Sequence, residues 1–403
     1  MGNIPAQASV NDNKGKTDDM GVKTSFYDKL DAPKQSQWDQ FWHACRHAHP
    51  RQNLIYGDVE RAQGKTVVYA VGEIGGRIVC TGIFVARQLF LGNRFFSEVE
   101  CLGGPVFDDI GCARDFILAV KSYFRTLNVA SITLRPYWFY PEAEPVKCML
   151  SELGFSTMPS VGRSGVRFPT GLIGLMSSAE EIFASLKSKT RQEIRRADRL
   201  GVSIRPTENP VEASLFFRHL SKMYRQRSLD FYAVSSKEFK AIFEHILRYG
   251  HIGVLLVAFY DQAFLGGLYI FRGVQTCHYV KYVVVRQPLR KLVNLTIAPA
   301  LWWRGIQWAK EKGCDWIDVE SYIQDVKPYD RRYRHQRLKA QFKPVPVQSL
   351  AAQTYVYIPT GYAIRRAYTF CVHKLNVLRA LRYQLKSRWK WYKGKHFSKD
   401  KCD

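Results

Sequence analysis

The chain has 403 residues, 46% of them hydrophobic and 24% charged, with a formal net charge of +25. That length exceeds what one hydrophobic core organises, so two domains are expected, and the composition is ordinary for a globular protein. Nine cysteines are scattered singly with no C-x-x-C pair, which excludes a disulfide framework or a zinc site and fits a reducing compartment. The positive field suits polyanionic partners: nucleic acid, anionic lipid or a phosphorylated substrate.

Residues 1–24 are polar and lack an apolar h-region, so they read as a disordered leader and not a signal peptide. Met1-Gly2 is not followed by Ser or Thr at position six, where Ala6 stands, so myristoylation is not expected. Residues 37–42 carry Trp38, Phe41 and Trp42 as a short amphipathic helix. Strand character follows over 54–60, 67–74, 77–91 and 95–101, with Gly75-Gly76 as a hairpin turn. Phe116, Val120 and Phe124 mark a helix over 113–126. A strand over 130–134 comes next, then a helix over 145–153 closed by Gly154.

A strand over 166–172 opens the second half. A long helix is expected from Ser178 to Leu200, started by the Ser178/Glu181 capping box and ended by Gly201. A short strand (202–205), helices (211–227, 237–249), strands (252–260, 264–271, 277–285), a helix (292–312) and a strand (316–319) complete it. The order of elements in the two halves is similar, though no sequence repeat is visible. From about Gly361 the pattern changes: Ile364, Tyr368, Cys371, Leu375, Leu378, Leu381, Leu385, Trp389 and Tyr392 recur three or four apart among basic residues, and the only acids are Asp400 and Asp403. A basic amphipathic helix of this kind suits an anionic membrane interface; docking on the second domain or RNA binding are the alternatives. No apolar run reaches transmembrane length.

Three segments carry a resemblance. Residues 185–197, SLKSKTRQEIRRA, followed by Gly201-Val202, resemble the segment with which Fem-type transferases and their GNAT relatives open their second domain. Residues 335–345, HQRLKAQFKPV, are similar to a late segment of the same family, with Leu338 in place of a Phe and Lys343-Pro344 in place of a Gly. Leu102-Gly103-Gly104-Pro105-Val106 is similar to a Gly-Pro turn of its first domain. The resemblance spans roughly residues 37–350. It implies an α/β fold of two tandem GNAT-like domains, residues 25–165 and 166–350, followed by a basic amphipathic tail over 351–403. It also implies transfer of an acyl or aminoacyl group to an amine of a cell-envelope precursor. The donor is then an acyl-CoA, an acyl-carrier protein or an aminoacyl-tRNA, with no tightly bound cofactor. The partners are an anionic membrane surface and a phosphorylated or lipid-linked acceptor, and the location is cytoplasmic, against the inner membrane face. The Gly-rich pyrophosphate loop of simple GNAT enzymes is missing; Arg286-Gln287-Pro288-Leu289-Arg290-Lys291 stands in its place, which tilts away from plain acetyl-CoA. No sustained heptad arm is present, which weakens the tRNA donor. A non-catalytic nucleic-acid-binding protein on a transferase fold ranks third.

Lys187, Arg191, Arg195 and Arg199 are four apart and would stack on one helix face as an anion ladder. Lys339 is the cation expected to stabilise an acyl-transfer oxyanion, with a surface strand cap as the plainer alternative. Glu320 and Asp318, sharing a strand face, are candidate general bases, and Tyr282 a candidate acid. Cys277 beside His278 is not expected to be a nucleophile. His43, His47 and His49 near Cys45 are expected to be an ordinary helix end, with no metal.

Overall fold

The computed structural model describes residues 21–87, 97–157, 167–227, 234–248, 250–285, 295–326 and 333–368, with Phe370, Cys371, Leu375 and Leu378 beyond them. The expectations for the leader up to residue 20, for residues 286–291, and for the tail at Leu381, Leu385, Trp389, Tyr392, Asp400 and Asp403 lie outside these.

The first half runs β1 (Lys23–Tyr27), α1 (Ala32–Ala44), α2 (Leu54–Ala62), β2 (Thr66–Ile74), β3 (Arg77–Arg87), β4 (Glu98–Gly103), β5 (Val106–Phe107), α3 (Ile110–Thr126), β6 (Ser131–Pro136), α4 (Ala143–Glu152) and β7 (Ser156–Thr157). The second half runs β8 (Arg167–Gly174), α5 (Ala179–Ser185), α6 (Ser188–Arg199), β9 (Ser203–Pro206), α7 (Pro210–Arg227), α8 (Ser236–Ile242), β10 (Gly253–Tyr260), β11 (Ala263–Arg272), β12 (Thr276–Val284), α9 (Ala298–Glu311), β13 (Trp316–Asp318), α10 (Tyr333–Lys339), β14 (Val345–Leu350) and β15 (Gln353–Val356).

Two mixed sheets result. The first has the order β1-β2-β3-β4-β6-β15-β7, with β5 on β3, and the second β14-β8-β13-β12-β11-β10-β9. Each contains one parallel pair, β4 with β6 and β12 with β13, joined by a helix (α3 or α9), as a parallel crossover requires. The expected two-module α/β architecture stands. Residues 353–356 pair with β6 and β7, so they belong to the first sheet and not to a tail, and β1 already begins at Lys23.

Two sequence expectations fail locally. Residues 54–60, read as a strand, form α2, because the Asn53 side chain caps Ile55 N–H and Tyr56 and Val59 share one buried face. The single helix from Ser178 to Leu200 is two helices. The capping box at Ser178 and Glu181 is present, but Leu186 and Lys187 are extended, at ψ 155° and 141°, and α6 starts afresh.

Layers of helices bury both faces of each sheet. Phe116, Val120 and Phe124 of α3 pack with Phe84 and Phe107, and Trp38 and Trp42 of α1 cover the opposite face. In the second half, Trp302 and Ile306 of α9 pack on Leu268 and Ile270. The far face holds Phe216, Phe239 and Tyr269 together with Tyr56 and Val59 of α2. The first half thus lends a helix to the core of the second; burying those two side chains is worth about 1.5–3 kcal/mol each.

Candidate active site

In the second sheet the parallel pair parts. β12 has nine residues, yet only Thr276–His278 pair with Trp316–Asp318. From Tyr279 onward β12 runs on without a strand partner on that side among the described residues. Tyr282 lies on this stretch; its hydroxyl is 3.1 Å from His335 Nδ1, and its ring stacks on the His335 imidazole.

The chain just past β13 turns sharply. Glu320 and Ser321 have positive φ, 50° and 45°, a left-handed conformation that costs non-glycine residues energy unless neighbours hold it. Three side chains hold it here. Asp318 Oδ1 accepts from Glu320 N–H at 2.7 Å, and Lys339 Nζ donates to the Glu320 carbonyl. Gln336, one turn before Lys339 on α10, donates to the Ser321 carbonyl and accepts from Ile323 N–H. Asp318 is itself buried and also accepts from Thr170 and from the Tyr137 hydroxyl of the first domain, the latter at 3.0 Å.

This turn opens into a cleft of about 210 Å³ between the two domains. Glu320 lines one wall, and His49, Arg51, Gly103, Arg135 and Tyr137 line the other. The first domain positions its side chains through backbone anchors. Trp42 and Trp38 indoles donate to the carbonyls of His49 and Gln52, and the buried Gln52 amide bridges Leu102 C=O and Ile83 N–H. Gly103, at φ 73°, must be glycine: a Cβ there would stand 2.4 Å from the His49 ring.

The electrostatics follow from burial. Desolvation pushes the Glu320 carboxyl above its usual range, and Asp318 adds to this, although Arg51, Lys281 and Lys339 pull the other way. Burial holds His278 down to about 4 despite the Asp318 carboxylate nearby, so its imidazole is neutral at pH 7. Its Nδ1 lies 4.0 Å from Asp318, and its Nε2 has no hydrogen-bond partner among the described residues. His49, its ring tilted against that of His278 at 4.5 Å, is also held well below its usual value by burial and by His278. The arrangement offers a half-buried carboxylate beside a gap in the sheet, opposite two arginines.

Of the sequence candidates, Glu320, Asp318 and Lys339 meet here, with unequal parts. Lys339 is 2% exposed, and its ammonium is engaged with a main-chain oxygen, so it holds Glu320 rather than facing the cleft as an oxyanion cation. Asp318 and Glu320 do not share a strand face, because β13 ends at Asp318. Tyr282 meets His335 on α10, the helix whose Gln336 and Lys339 hold the Glu320 turn.

The anion ladder does not form as one helix face. Lys187 precedes α6, Arg191 donates to the carbonyls of Ala184 and Leu186, and Arg195 lies over the Phe183 ring. Arg199 stays exposed. Cys277 sits in the core, its sulfur 3.2 Å from that of Cys314, and burial raises its thiol far above the usual range. The histidines near Cys45 are separated: His47 stacks on Trp138, His49 enters the cleft, and no metal-competent cluster occurs among the described residues. Arg51, Arg135 and Tyr137 escaped the sequence reading. A signal existed in the Gly-Pro turn beside them, but nothing in the sequence joins residue 51 to residue 320.

The segment that carries the parted pair and the Glu320 turn also matches a known family model. Residues 184–322 match the family described as an acetyltransferase (GNAT) domain. Over 82% of its length the chain has the Fem-type tandem fold. It resembles the crystal structure of FemX at a TM-score of 0.70 and 11% identity, over 82% of this chain and 98% of that one. A conserved protein of unknown function from Bacteroides thetaiotaomicron is similar at a TM-score of 0.50 and 10% identity, over 82% and 98%. At these identities the likeness is one of fold. No curated protein matches the sequence.

Proposed function

We propose that the chain is an N-acyltransferase that moves an acyl or aminoacyl group onto an amine of an anionic cell-envelope precursor, with Glu320 as the proton acceptor. The observation that carries this is the placement of Glu320: a half-buried carboxylate at the mouth of the parted β12/β13 pair, facing Arg51 and Arg135 across the cleft. The donor's acyl end would reach the cleft through the gap, as an acyl thioester or an aminoacyl ester. The acceptor's phosphate or carboxylate would sit against the arginines. As the neutral amine attacks the acyl carbonyl carbon and the C–N bond forms, its proton passes to the Glu320 carboxylate, and the thiolate or alkoxide leaves and is protonated. Asp318, Lys339 and Gln336 act by fixing the Glu320 turn, and Tyr137 ties that turn to the first domain.

A coenzyme A thioester is the first donor to test, because the GNAT match covers the half that holds the gap. The exposed Lys187 and Arg199, with Arg195 beside them, would serve a donor's phosphates. The decisive assay incubates the purified chain with acyl-CoA, acyl-carrier protein and aminoacyl-tRNA in turn, with lipid-linked and nucleotide-linked amino acceptors, and detects the amide product by mass spectrometry. Absence of product from every pairing, with tight RNA binding instead, refutes the enzyme reading. No helix among the described residues is long and apolar enough to cross a membrane.

A further inference from the structure

The helix that follows β15 begins at residue 359, and its root is fastened. Tyr357 donates from its hydroxyl to Lys121 C=O at 2.9 Å. Arg365 donates to Arg87 C=O at 3.0 Å and pairs with Glu98 at 2.7 Å. Both members of that pair are largely covered, and Glu98 also accepts from Thr133 at 3.0 Å. The first domain therefore grips one side of the helix.

The apolar side points elsewhere. Ile364 is 48% exposed, Tyr368 47%, Leu375 52% and Leu378 61%, and Cys371 is exposed. Their spacing of four, three, four and three residues puts all five within an arc of about 80°. An apolar stripe of this length on a folded surface marks an interaction face.

The charge around it decides the occupant. No acidic residue occurs between Asp330 and Asp400, and eleven Lys and Arg lie between residues 361 and 399. Two copies of so basic a segment brought together would set like charge against like charge, which opposes self-association. A layer of lipid phosphates with acyl chains beneath complements both features at once.

We propose that this helix docks the protein on an anionic lipid surface, with the Arg365–Glu98 pair holding its root so that Ile364, Cys371, Leu375 and Leu378 enter the acyl-chain boundary. The inference does not depend on the transferase reading, and its test uses no substrate. The full chain is sedimented with vesicles of phosphatidylcholine containing phosphatidylglycerol and with vesicles of phosphatidylcholine alone. The comparison is the triple variant Ile364→Ser/Leu375→Ser/Leu378→Ser, together with Leu375→Ser/Leu378→Ser, whose sites lie beyond the fastened root. Wild type is expected on the anionic vesicles, less so at high salt, and both variants should partition at least about tenfold more weakly with unchanged melting temperature. Three outcomes overturn the proposal: variants that bind the anionic vesicles as well as wild type; a wild-type chain that ignores vesicles but self-associates through the stripe; and a stripe required for tRNA binding instead.

Discussion

The two domains share an element order and differ at one joint. In the first, β4 and β6 are paired at all six positions from Glu98–Ser131 to Gly103–Pro136. In the second, β12 and β13 part after three. A zipped pair leaves its main chain satisfied and offers no entry between strands. A parted one leaves a slot whose rim is set by the turn after the shorter strand, here Glu320. The two sheets therefore differ in what they can offer. The second domain holds the slot and the carboxylate, and the first supplies the opposing wall with His49, Arg51 and Arg135.

Substitutions can break this division. Glu320→Gln should lower turnover by about 10²–10⁴-fold without lowering the melting temperature, since burial already disfavours its charged form. In the wild type, the rate should rise with pH through a value above the ordinary carboxylate range, because the working form is the deprotonated one. A flat pH profile would remove Glu320 as the base.

Lys339→Met should lower turnover by about tenfold or more and also lower the melting temperature, because it frees the Glu320 carbonyl within a buried turn. Loss of activity with stability intact would return Lys339 to a direct chemical part. On the opposite wall, Arg135→Ala should raise KM for an anionic acceptor by about tenfold with kcat little changed; a fall in kcat alone would contradict the split.

His278 gives the acid limit. Its folded-state value is depressed to about 4, so the unfolded chain binds the proton more readily. Stability is present above pH of about 6.5 and is lost as pH falls toward 4, by as much as about 3 kcal/mol. Denaturant melts of His278→Gln should be flatter over that window; identical slopes would show that another group controls it. The smallest effect is expected at α6. Arg191→Glu should cost about 1–2 kcal/mol by uncapping α5, where a purely substrate-binding arginine would leave the melting temperature unchanged.

The strands and helices with clear period were legible in the sequence, as were the Gly75-Gly76 turn, the Ser178 capping box and the tandem architecture. Residues 54–60 misled because Leu54, Ile55 and Tyr56 read as a strand run, while the deciding group, the Asn53 side chain, lies just outside it. The break at Leu186-Lys187 carries no Pro or Gly to announce it. At the site, Lys339 was visible through the resemblance and Glu320 through the alternation expected of a strand, but their relation was not. That Lys339 holds a carbonyl depends on a left-handed turn at Glu320, a conformation that residue type gives no reason to expect. The opposing wall comes from residues some 180 to 270 positions away in the chain, and spacing is silent on such contacts.

The loan of α2 to the second core and the return of β15 to the first sheet have a consequence for how substrates are admitted. Each half is missing a piece that the other carries, so neither can swing away without exposing its interior. Closing on a ligand would disturb both exchanged pieces, so a groove of nearly set width is expected, with selection falling to whatever already has the right shape and sign. Expressing either half alone should yield aggregate rather than half an enzyme.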